Sequence, residues 1–287
     1  MLARRVAVIN EKGGSTKTTL VSTIGSYLAL HRGRRILAID MDPQGQLGKV
    51  LGVETRARRR SAIDLLVDSV LGDDAALDYT YERAADRALR PASTLPIATT
   101  RIPQLDLITA NKSLGLLPIL EADGADPTGR LGRALESAPE LEDYDFILFD
   151  APPSFGPLTL NVLRAATEIV IPVPLTFLAL DGCAELVRTI ATVRDRYDHP
   201  NLRVEMIVPT LYRRTKLANE ILERLKRHFP KEIAHTVVGY HVKIDEAQSR
   251  GLSIFEYAPK DRSASVMAAL VEELELRGKP AQHGSPA

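Results

Sequence analysis

Short apolar runs alternate along the chain with longer stretches in which apolar residues recur at helical spacing. The runs are rich in Val, Ile and Leu and lack the alternation of a half-exposed strand, which indicates strands buried on both faces. Strands are predicted at 6–9, 36–39, 105–108, 146–149, 169–173 and 204–208, with a short seventh at 237–238.

Helical patterns fill the gaps between these strands, at 17–31, 129–138, 157–166, 181–197, 215–229 and 263–277. Strands that alternate with helices predict an α/β fold with a doubly wound, mostly parallel sheet flanked by helices. Ligands of such sheets bind at the carboxyl ends of the strands. A glycine-containing loop, Asp42 and Asp150 all follow predicted strands, so we expect them to form one composite site.

The chain of 287 residues is long enough for one large α/β domain. We predict a single domain over 1–277, with an excursion at 56–100 that begins with four arginines and contains a proline-containing segment. The arginine run is expected to be a solvated face. Residues 278–287 are rich in Gly, Pro and Ser and are predicted to form a mobile tail.

Composition narrows the class of protein but not its partners. Apolar residues make up 45% of the chain and Trp is absent, so the core must consist of Leu, Ile, Val and Ala. The formal net charge is zero, which favours neither nucleic acid nor membrane overall and leaves a local basic patch open. The single cysteine, Cys183, cannot form an internal disulfide, and no apolar run reaches about 18 residues. A cytoplasmic protein is expected.

The segment between the first predicted strand and the first predicted helix has the composition of a phosphate-binding loop. This phosphate loop consists of Lys12, Gly13, Gly14, Ser15, Thr16, Lys17, Thr18 and Thr19. Glycines let backbone N–H groups curl around an anion, and the following helix directs the positive end of its dipole at the same point. Lys17 can then reach the β- and γ-phosphates of ATP, and the Thr18 hydroxyl can ligate Mg²⁺.

The loop does not fit the common pattern G-x-x-x-x-G-K-[ST], because Glu11 and Thr16 stand where the glycines belong. It fits K-G-G-x-x-K-[ST]-T, and in this the chain resembles the deviant Walker-A ATPases of the ParA/MinD/Soj group, most of all the ParA partition proteins. The resemblance implies that Lys12 crosses the interface of an ATP-dependent homodimer to the nucleotide of the other subunit. Most of the group has glycine in place of Thr16, where a β-branched residue costs about 1 kcal/mol or more if φ must be positive.

Two acidic segments extend the resemblance. Residues 40–45, here called the first switch, resemble the group's D-x-D-P-Q segment, in which Asp42 would orient or activate the attacking water. Asp40 would lie near the magnesium and support the loop. Residues 145–153 resemble Walker B and the second switch, in which Asp150 would hold Mg²⁺ through a water molecule. The resemblance covers nearly the whole chain outside 56–100 and the tail.

The resemblance also implies a DNA-binding surface. Partition ATPases of this group bind DNA non-specifically as dimers, and Arg214 and Lys243 occupy positions that match their basic contact residues, with Arg213 and Lys216 nearby. Such phosphate contacts need only positive charge within reach, so binding would weaken steeply with salt. We expect a nucleoid-associated protein whose weak intrinsic ATP hydrolysis is stimulated by a ParB-like or other partner.

Other branches of the group fit less well. The tail has too few basic and apolar residues to form the amphipathic helix by which the MinD branch binds membranes. One cysteine excludes the nitrogenase-iron-protein branch, which pairs cysteines at its dimer interface. Two alternatives remain: a switch that positions a protein complex without DNA, and a P-loop enzyme of cofactor biosynthesis, for whose acceptor pocket the sequence has no feature.

Overall fold

The computed structural model describes residues 3–55, 60–66, 95–116 and 126–278. They form a seven-stranded sheet in the order β3-β4-β2-β5-β1-β6-β7. The strands are β1 (Arg4–Val8), β2 (Ile36–Asp40), β3 (Ile97–Thr99), β4 (Leu105–Ile108), β5 (Phe146–Asp150), β6 (Glu168–Pro174) and β7 (Arg203–Thr210). All neighbouring strands are parallel except β3 and β4, so the predicted mostly parallel sheet is confirmed.

Helices cover both faces of this sheet. The described α-helices are α1 (Lys17–Arg32), α2 (Gln46–Val50), α3 (Arg130–Glu136), α4 (Pro157–Ala165), α5 (Ala179–Arg196), α6 (Lys216–His228), α7 (Val242–Ser249), α8 (Ile254–Tyr257) and α9 (Arg262–Arg277). All six predicted helices are present, with ends within two residues of the prediction. In the part of the chain that the structure describes, no helix is long and apolar enough to cross a bilayer.

Alternate residues of each central strand build two separate cores. In β1, Val6 and Val8 pack with α1 and α9 on one face. Ala7 packs on the opposite face, with α3, α4, α5 and α6. Because both faces are covered, the central strands β2 and β5 are buried at every position, which explains why their sequences read as continuous apolar runs.

The structure corrects one predicted strand and adds elements that the patterns did not indicate. Residues 237–238 are not a strand; the backbone of Val238 hydrogen-bonds to Pro209 and Tyr212, and the next residue, Gly239, forms an isolated bridge with Tyr212. Strand β3 and the short helices α2, α7 and α8 were not predicted. Three to eight residues are too few to show a clear period, so tertiary contacts decide these elements.

Part of the predicted excursion lies within the fold. Its described residues 60–66 include a 3₁₀ turn, Ala62–Leu65, whose apolar side chains join the core beside α3. Its residues 95–100 contribute β3 to the edge of the sheet. Residues 56–59, 67–94 and 279–287, and with them most of the excursion and of the predicted tail, lie outside the described residues.

Arg277, the last residue of α9, ties the end of this helix to the segment after α6. Its guanidinium donates hydrogen bonds to the backbone oxygens of Glu205, Lys231, Glu232 and Ile233, at 2.7–3.3 Å. It also pairs with Glu273 at 2.8 Å. Glu273 in turn accepts from the backbone N–H groups of His235 and Thr236. This clamp fixes the start of the segment that returns to the carboxyl edge of the sheet.

We expect Arg277→Ala to lower the free energy of unfolding by about 2 kcal/mol, because it leaves several carbonyls and Glu273 without their charged partner. Chemical denaturation of the full chain measures this loss. Arg262→Ala, which removes an exposed arginine from the first turn of the same helix, should change the value by less than about 0.5 kcal/mol. Equal losses in the two variants would contradict the clamp.

Candidate functional site

The phosphate loop connects β1 to α1 at the carboxyl edge of the sheet. Gly14 has a φ of 69°, and a Cβ added at Gly13 or Gly14 would meet no atom within 4 Å. The loop therefore presents bare backbone to open space just before α1 begins at Lys17. This is the arrangement in which N–H groups and the helix dipole bind an anion.

Thr16 takes the left-handed conformation, with φ 72° and ψ 19°. Its hydroxyl donates to the carbonyl of Ser15 and makes no capping hydrogen bond to α1. The position thus requires the positive φ that glycine adopts freely, and a β-branched residue there costs roughly 1–2 kcal/mol. Thr16, which stands where most of the group has glycine, therefore introduces backbone strain into the loop.

Lys17, Thr18 and Asp150 meet below the loop. Lys17 is 7% exposed, and the Thr18 hydroxyl donates to Oδ2 of Asp150 at 2.7 Å. The other carboxylate oxygen, Oδ1, is buried and has no hydrogen-bond partner among the described residues. A hydroxyl beside an unsatisfied carboxylate oxygen fits Mg²⁺, which takes one or two protein oxygens and fills its remaining positions with water and phosphate.

The first switch is held in shape by its own acidic residues. Asp40 is fully buried, and its two oxygens accept from the backbone N–H groups of Asp42 and Leu47 at 3.0 and 3.1 Å. Asp42 accepts from the N–H of Gln44 through Oδ1, while its Oδ2 has no partner in the described part of the chain. Asp40 therefore supports the loop, and Asp42 keeps one oxygen available to a water molecule.

The ionisable groups of Asp40, Asp150 and Lys17 lie close together at the carboxyl edge of the sheet. Asp40 and Asp150 stand opposite each other in the register of β2 and β5. Burial raises the pKa of Asp150 from 3.8 to about 7, against the opposing effects of the Thr18 hydrogen bond and the Lys17 charge. Burial and the charge of Asp150 raise the pKa of Asp40. Burial also lowers the pKa of Lys17, although Asp150 and Asp42 oppose it. The site is short of positive charge, as a metal-binding site should be.

The second switch leaves the sheet at Asp150 and leads through two prolines to α4. The Thr159 hydroxyl donates to the carbonyl of Ser154 at 2.6 Å, which ties the segment to the first turn of α4. A cavity of about 330 Å³ lies between the two switches. The described residues that line it are mainly Pro and Leu with Asp42 at one side, and none of them is basic.

Lys12 lies apart from this cluster. Its side chain is exposed, and the ammonium group donates to the hydroxyl of Thr176, after β6, at 3.3 Å. The side chains of Phe177 and Leu178, next in the chain, are 79% and 65% exposed. The two lysines of the loop therefore have different surroundings, since Lys17 is buried among carboxylates and Lys12 lies on an open, partly apolar surface.

The predicted DNA contacts lie on two neighbouring segments. Backbone hydrogen bonding between Tyr212 and Val238 brings the segment with Arg214 beside the segment that leads into Lys243. Arg214 is exposed and forms no ion pair with any residue that the structure describes. Lys243 is paired with Glu246 at 2.8 Å, so a phosphate would have to compete with that carboxylate.

Two contacts of the loop could not be found from the sequence. Thr176 lies 164 residues from Lys12, and Gln248, which donates to the Thr19 hydroxyl at 3.0 Å, lies 229 residues from its partner. Neither residue belongs to a recognisable motif. Only the folding of the sheet brings them to the phosphate loop.

Asp150→Asn should stabilise the nucleotide-free, metal-free protein at pH 8. The folded carboxyl keeps its proton up to about pH 7 while the unfolded one releases it near 3.8, so Asp150 stabilises the fold at low pH and loses this effect as the pH rises through 7. The Asn variant should melt several degrees higher at pH 8, since 1 kcal/mol corresponds to roughly 2–4 °C in large domains.

Thermal unfolding at pH 5, 6.5 and 8, without nucleotide or divalent cations, measures the difference between the two proteins. The gain should shrink toward pH 5, where the native carboxyl is already neutral. A gain that is absent at pH 8, or equal at every pH, would contradict a buried carboxylate that resists ionisation.

Comparisons with known proteins agree with this geometry. A family model described as an AAA domain matches residues 3–204. The sporulation initiation inhibitor protein Soj of Bacillus subtilis is 32% identical, covering 96% of this chain and 100% of its own. The chromosome-partitioning ATPase Soj of Thermus thermophilus is 36% identical, covering 96% of each chain.

A similar solved structure is that of cobyrinic acid a,c-diamide synthase from Mycobacterium smegmatis with bound ADP and magnesium. It is 28% identical, with a TM-score of 0.71, and the match covers 94% of this chain and 93% of that one. The full-length similarity to partition proteins, at higher identity, decides the family. The chain belongs to the ParA/Soj family of chromosome-partitioning P-loop ATPases.

Proposed function

We propose that this protein is an ATP-driven partition switch. ATP and Mg²⁺ would bind at the phosphate loop, two ATP-bound subunits would close face to face, and the dimer would bind DNA non-specifically. Hydrolysis, stimulated by a partner protein, would separate the subunits and release the DNA. The function would be the partition or positioning of DNA.

The different surroundings of the two loop lysines are the observation that carries this proposal. Lys17 is buried beside Asp150, where it can neutralise phosphates bound by its own subunit. Lys12 is exposed, and its ammonium group is held by Thr176. A lysine so placed is available to a nucleotide that approaches from outside, as the nucleotide of a second subunit would.

The remaining groups supply the parts that phosphoryl transfer needs. Thr18 and Asp150 would hold Mg²⁺, directly and through water, and Asp40 would add negative charge while it supports the first switch. The bound metal neutralises charge on the β- and γ-phosphates. Asp42 would hold the attacking water through Oδ2, so catalysis would rest on positioning rather than on strong base chemistry.

Exposed apolar side chains beside Lys12 support the closing of two subunits. Phe177 and Leu178 follow Thr176 in the chain and lie largely in solvent in the single chain. Large apolar groups exposed together commonly belong to an interface. A dimer that brings Lys12 to a second nucleotide would cover this surface too.

DNA binding is supported by a basic surface near the phosphate loop. The Arg213 guanidinium lies 5.7 Å from the centre of the Tyr240 ring, and Arg214 and Lys243 are exposed on the same two segments. Backbone phosphates can be bound by such groups without any reading of sequence. A ParB-like partner and a nucleoid location belong to the same proposal.

A small-molecule kinase or amidation enzyme is the weaker alternative. Its acceptor would have to enter the cavity between the switches, next to Asp42. The described lining of that cavity is largely proline and leucine and has no basic residue to bind an anionic acceptor. A switch that positions a protein complex without DNA keeps the same nucleotide site and is separated from partition by DNA binding.

Lys17→Ala should impair nucleotide binding, whereas Lys12→Ala should impair the dimerisation that follows it. Lys17→Ala should weaken binding of a fluorescent ATP analogue about tenfold or more, since a charged contact to phosphate contributes roughly 1.5–3 kcal/mol. Lys12→Ala should retain binding but no longer dimerise with ATP. Sedimentation with ATP, with ADP and without nucleotide measures the dimer.

Lys49→Ala, which removes an exposed lysine from α2, is the matched control and should behave as the natural chain does. If Lys12→Ala dimerises normally with ATP, the role of Lys12 in the second subunit's site is wrong. If the natural chain binds ATP and stays monomeric, the sandwich dimer itself is wrong.

Replacing both Arg214 and Lys243 with Ala should weaken binding of the ATP-bound protein to duplex DNA about tenfold at moderate salt. The slope of log affinity against log salt should fall by about 2, one for each lost phosphate contact. Fluorescence anisotropy at several salt concentrations gives both quantities, with ATP, with ADP and without nucleotide.

The control for this pair is the double alanine variant of Arg227 and Lys231, which removes the same charge at the far end of α6. Its affinity should stay close to that of the natural chain. Equal losses in both variants would indicate attraction by net charge alone. An ATP-dependent dimer that binds no DNA would favour the positioning of a protein complex.

A further inference from the structure

Helix α7, Val242–Ser249, lies between the nucleotide site and the proposed DNA surface. It was not predicted from the sequence, and Lys243 is the residue of this helix that the proposed function uses. One end of the helix contacts elements that hold the nucleotide, and the other end carries Lys243. Its contacts suggest a part in the response to nucleotide.

The first contact is a hydrogen bond to the phosphate-loop helix. The side-chain amide of Gln248 donates to the hydroxyl of Thr19 at 3.0 Å, and both residues are half-buried. Thr19 directly follows Thr18, whose own hydroxyl donates to Asp150. A movement of the first turn of α1 would therefore reach Gln248 through a single hydrogen bond.

A small cavity between α7 and the loop adds a second point of contact. It has a volume of about 40 Å³, and its lining includes Thr16, Thr19, Ile244 and Asp245. Thr16 is the strained residue of the loop. Any change in the conformation of Thr16 would alter the space into which α7 packs.

The third contact joins the turn after α7 to the turn after α2. The backbones of Gly251 and Gly52 are in close contact, and a Cβ added at Gly251 would lie 2.8 Å from Cα of Gly52. Both glycines have positive φ. Gly52 follows α2, the helix that begins where the first switch ends. Bulk at either glycine would separate the two elements.

The other end of α7 joins the basic surface. Lys243 lies in its first turn, and the Tyr240 hydroxyl just before the helix donates to Asp245 within it. Arg213 lies over the ring of Tyr240. A helix of eight residues is about 12 Å long and moves as one piece, so a shift at Gln248 displaces this surface.

We propose that Gln248 is a positioning residue that couples nucleotide in the phosphate loop to the position of α7. The inference rests on the proposed function in that the ligand of the loop is a nucleotide. Through its hydrogen bond to Thr19, Gln248 holds α7 in the arrangement that suits the occupied loop. The basic surface at the other end of the helix then responds to nucleotide without touching it.

Hydrogen exchange of the full chain, with and without ADP and Mg²⁺, tests this coupling. ADP is chosen so that contacts between two ATP-bound subunits do not contribute. In the natural chain, ADP should slow exchange both in the phosphate loop and in α7. In Gln248→Met, which keeps the length of the side chain but has no donor, the loop should stay protected. The protection of α7 should fall about fivefold, the effect of one hydrogen bond of roughly 1 kcal/mol.

Ser249→Ala is the matched control, because Ser249 lies next in the same helix and, within the described part of the chain, its hydroxyl bonds to the backbone of Glu246 alone. It should keep the full ADP effect on α7. If ADP protects the loop but not α7, or if Gln248→Met retains the protection of α7, the coupling is wrong while the nucleotide site stands. If ADP protects neither segment of the natural chain, the proposed nucleotide site fails and this inference fails with it.

Discussion

The charge balance of the whole site depends on two carboxylates that are buried side by side. Asp40 and Asp150 end the adjacent strands β2 and β5 in register, and both lie in the interior. Uncompensated negative charge in such surroundings is costly, and burial accordingly raises the pKa of both groups. Lys17 supplies one positive charge. The excess of buried carboxylates over this one lysine would suit a bound metal ion.

The first switch and the phosphate loop each have one buried acidic or basic residue and one that is more exposed. Backbone N–H groups tie the first switch to Asp40, whereas Oδ2 of Asp42 has no hydrogen-bond partner among the described residues. In the phosphate loop Lys17 is buried, whereas Lys12 is exposed and donates a hydrogen bond to Thr176. Under the proposed function, the buried Lys17 would serve the nucleotide of its own subunit and the exposed Lys12 that of a second subunit.

The last third of the chain connects this centre to the surface. Arg277 and Glu273 fix the segment after α6 by bonding its backbone groups. That segment leads to Tyr240 and α7, and α7 returns to the loop through Gln248. The segment is thus anchored by several hydrogen bonds near its start and reaches the phosphate loop through Gln248, the contact on which the proposed coupling rests.

Local patterns were enough to predict six strands, six helices, the glycine-containing loop before α1 and the carboxylates at the ends of β2 and β5, because burial on two faces leaves a pattern in neighbouring residues. The same patterns wrongly predicted a strand at 237–238 and missed β3, α2, α7 and α8, since such short elements depend on what packs against them. The positive φ of Thr16 and the partners of Lys12 and Gln248 emerged only from the fold. Those partners are more than 160 residues away in the chain, and no local preference encodes a contact that exists only once the sheet has assembled.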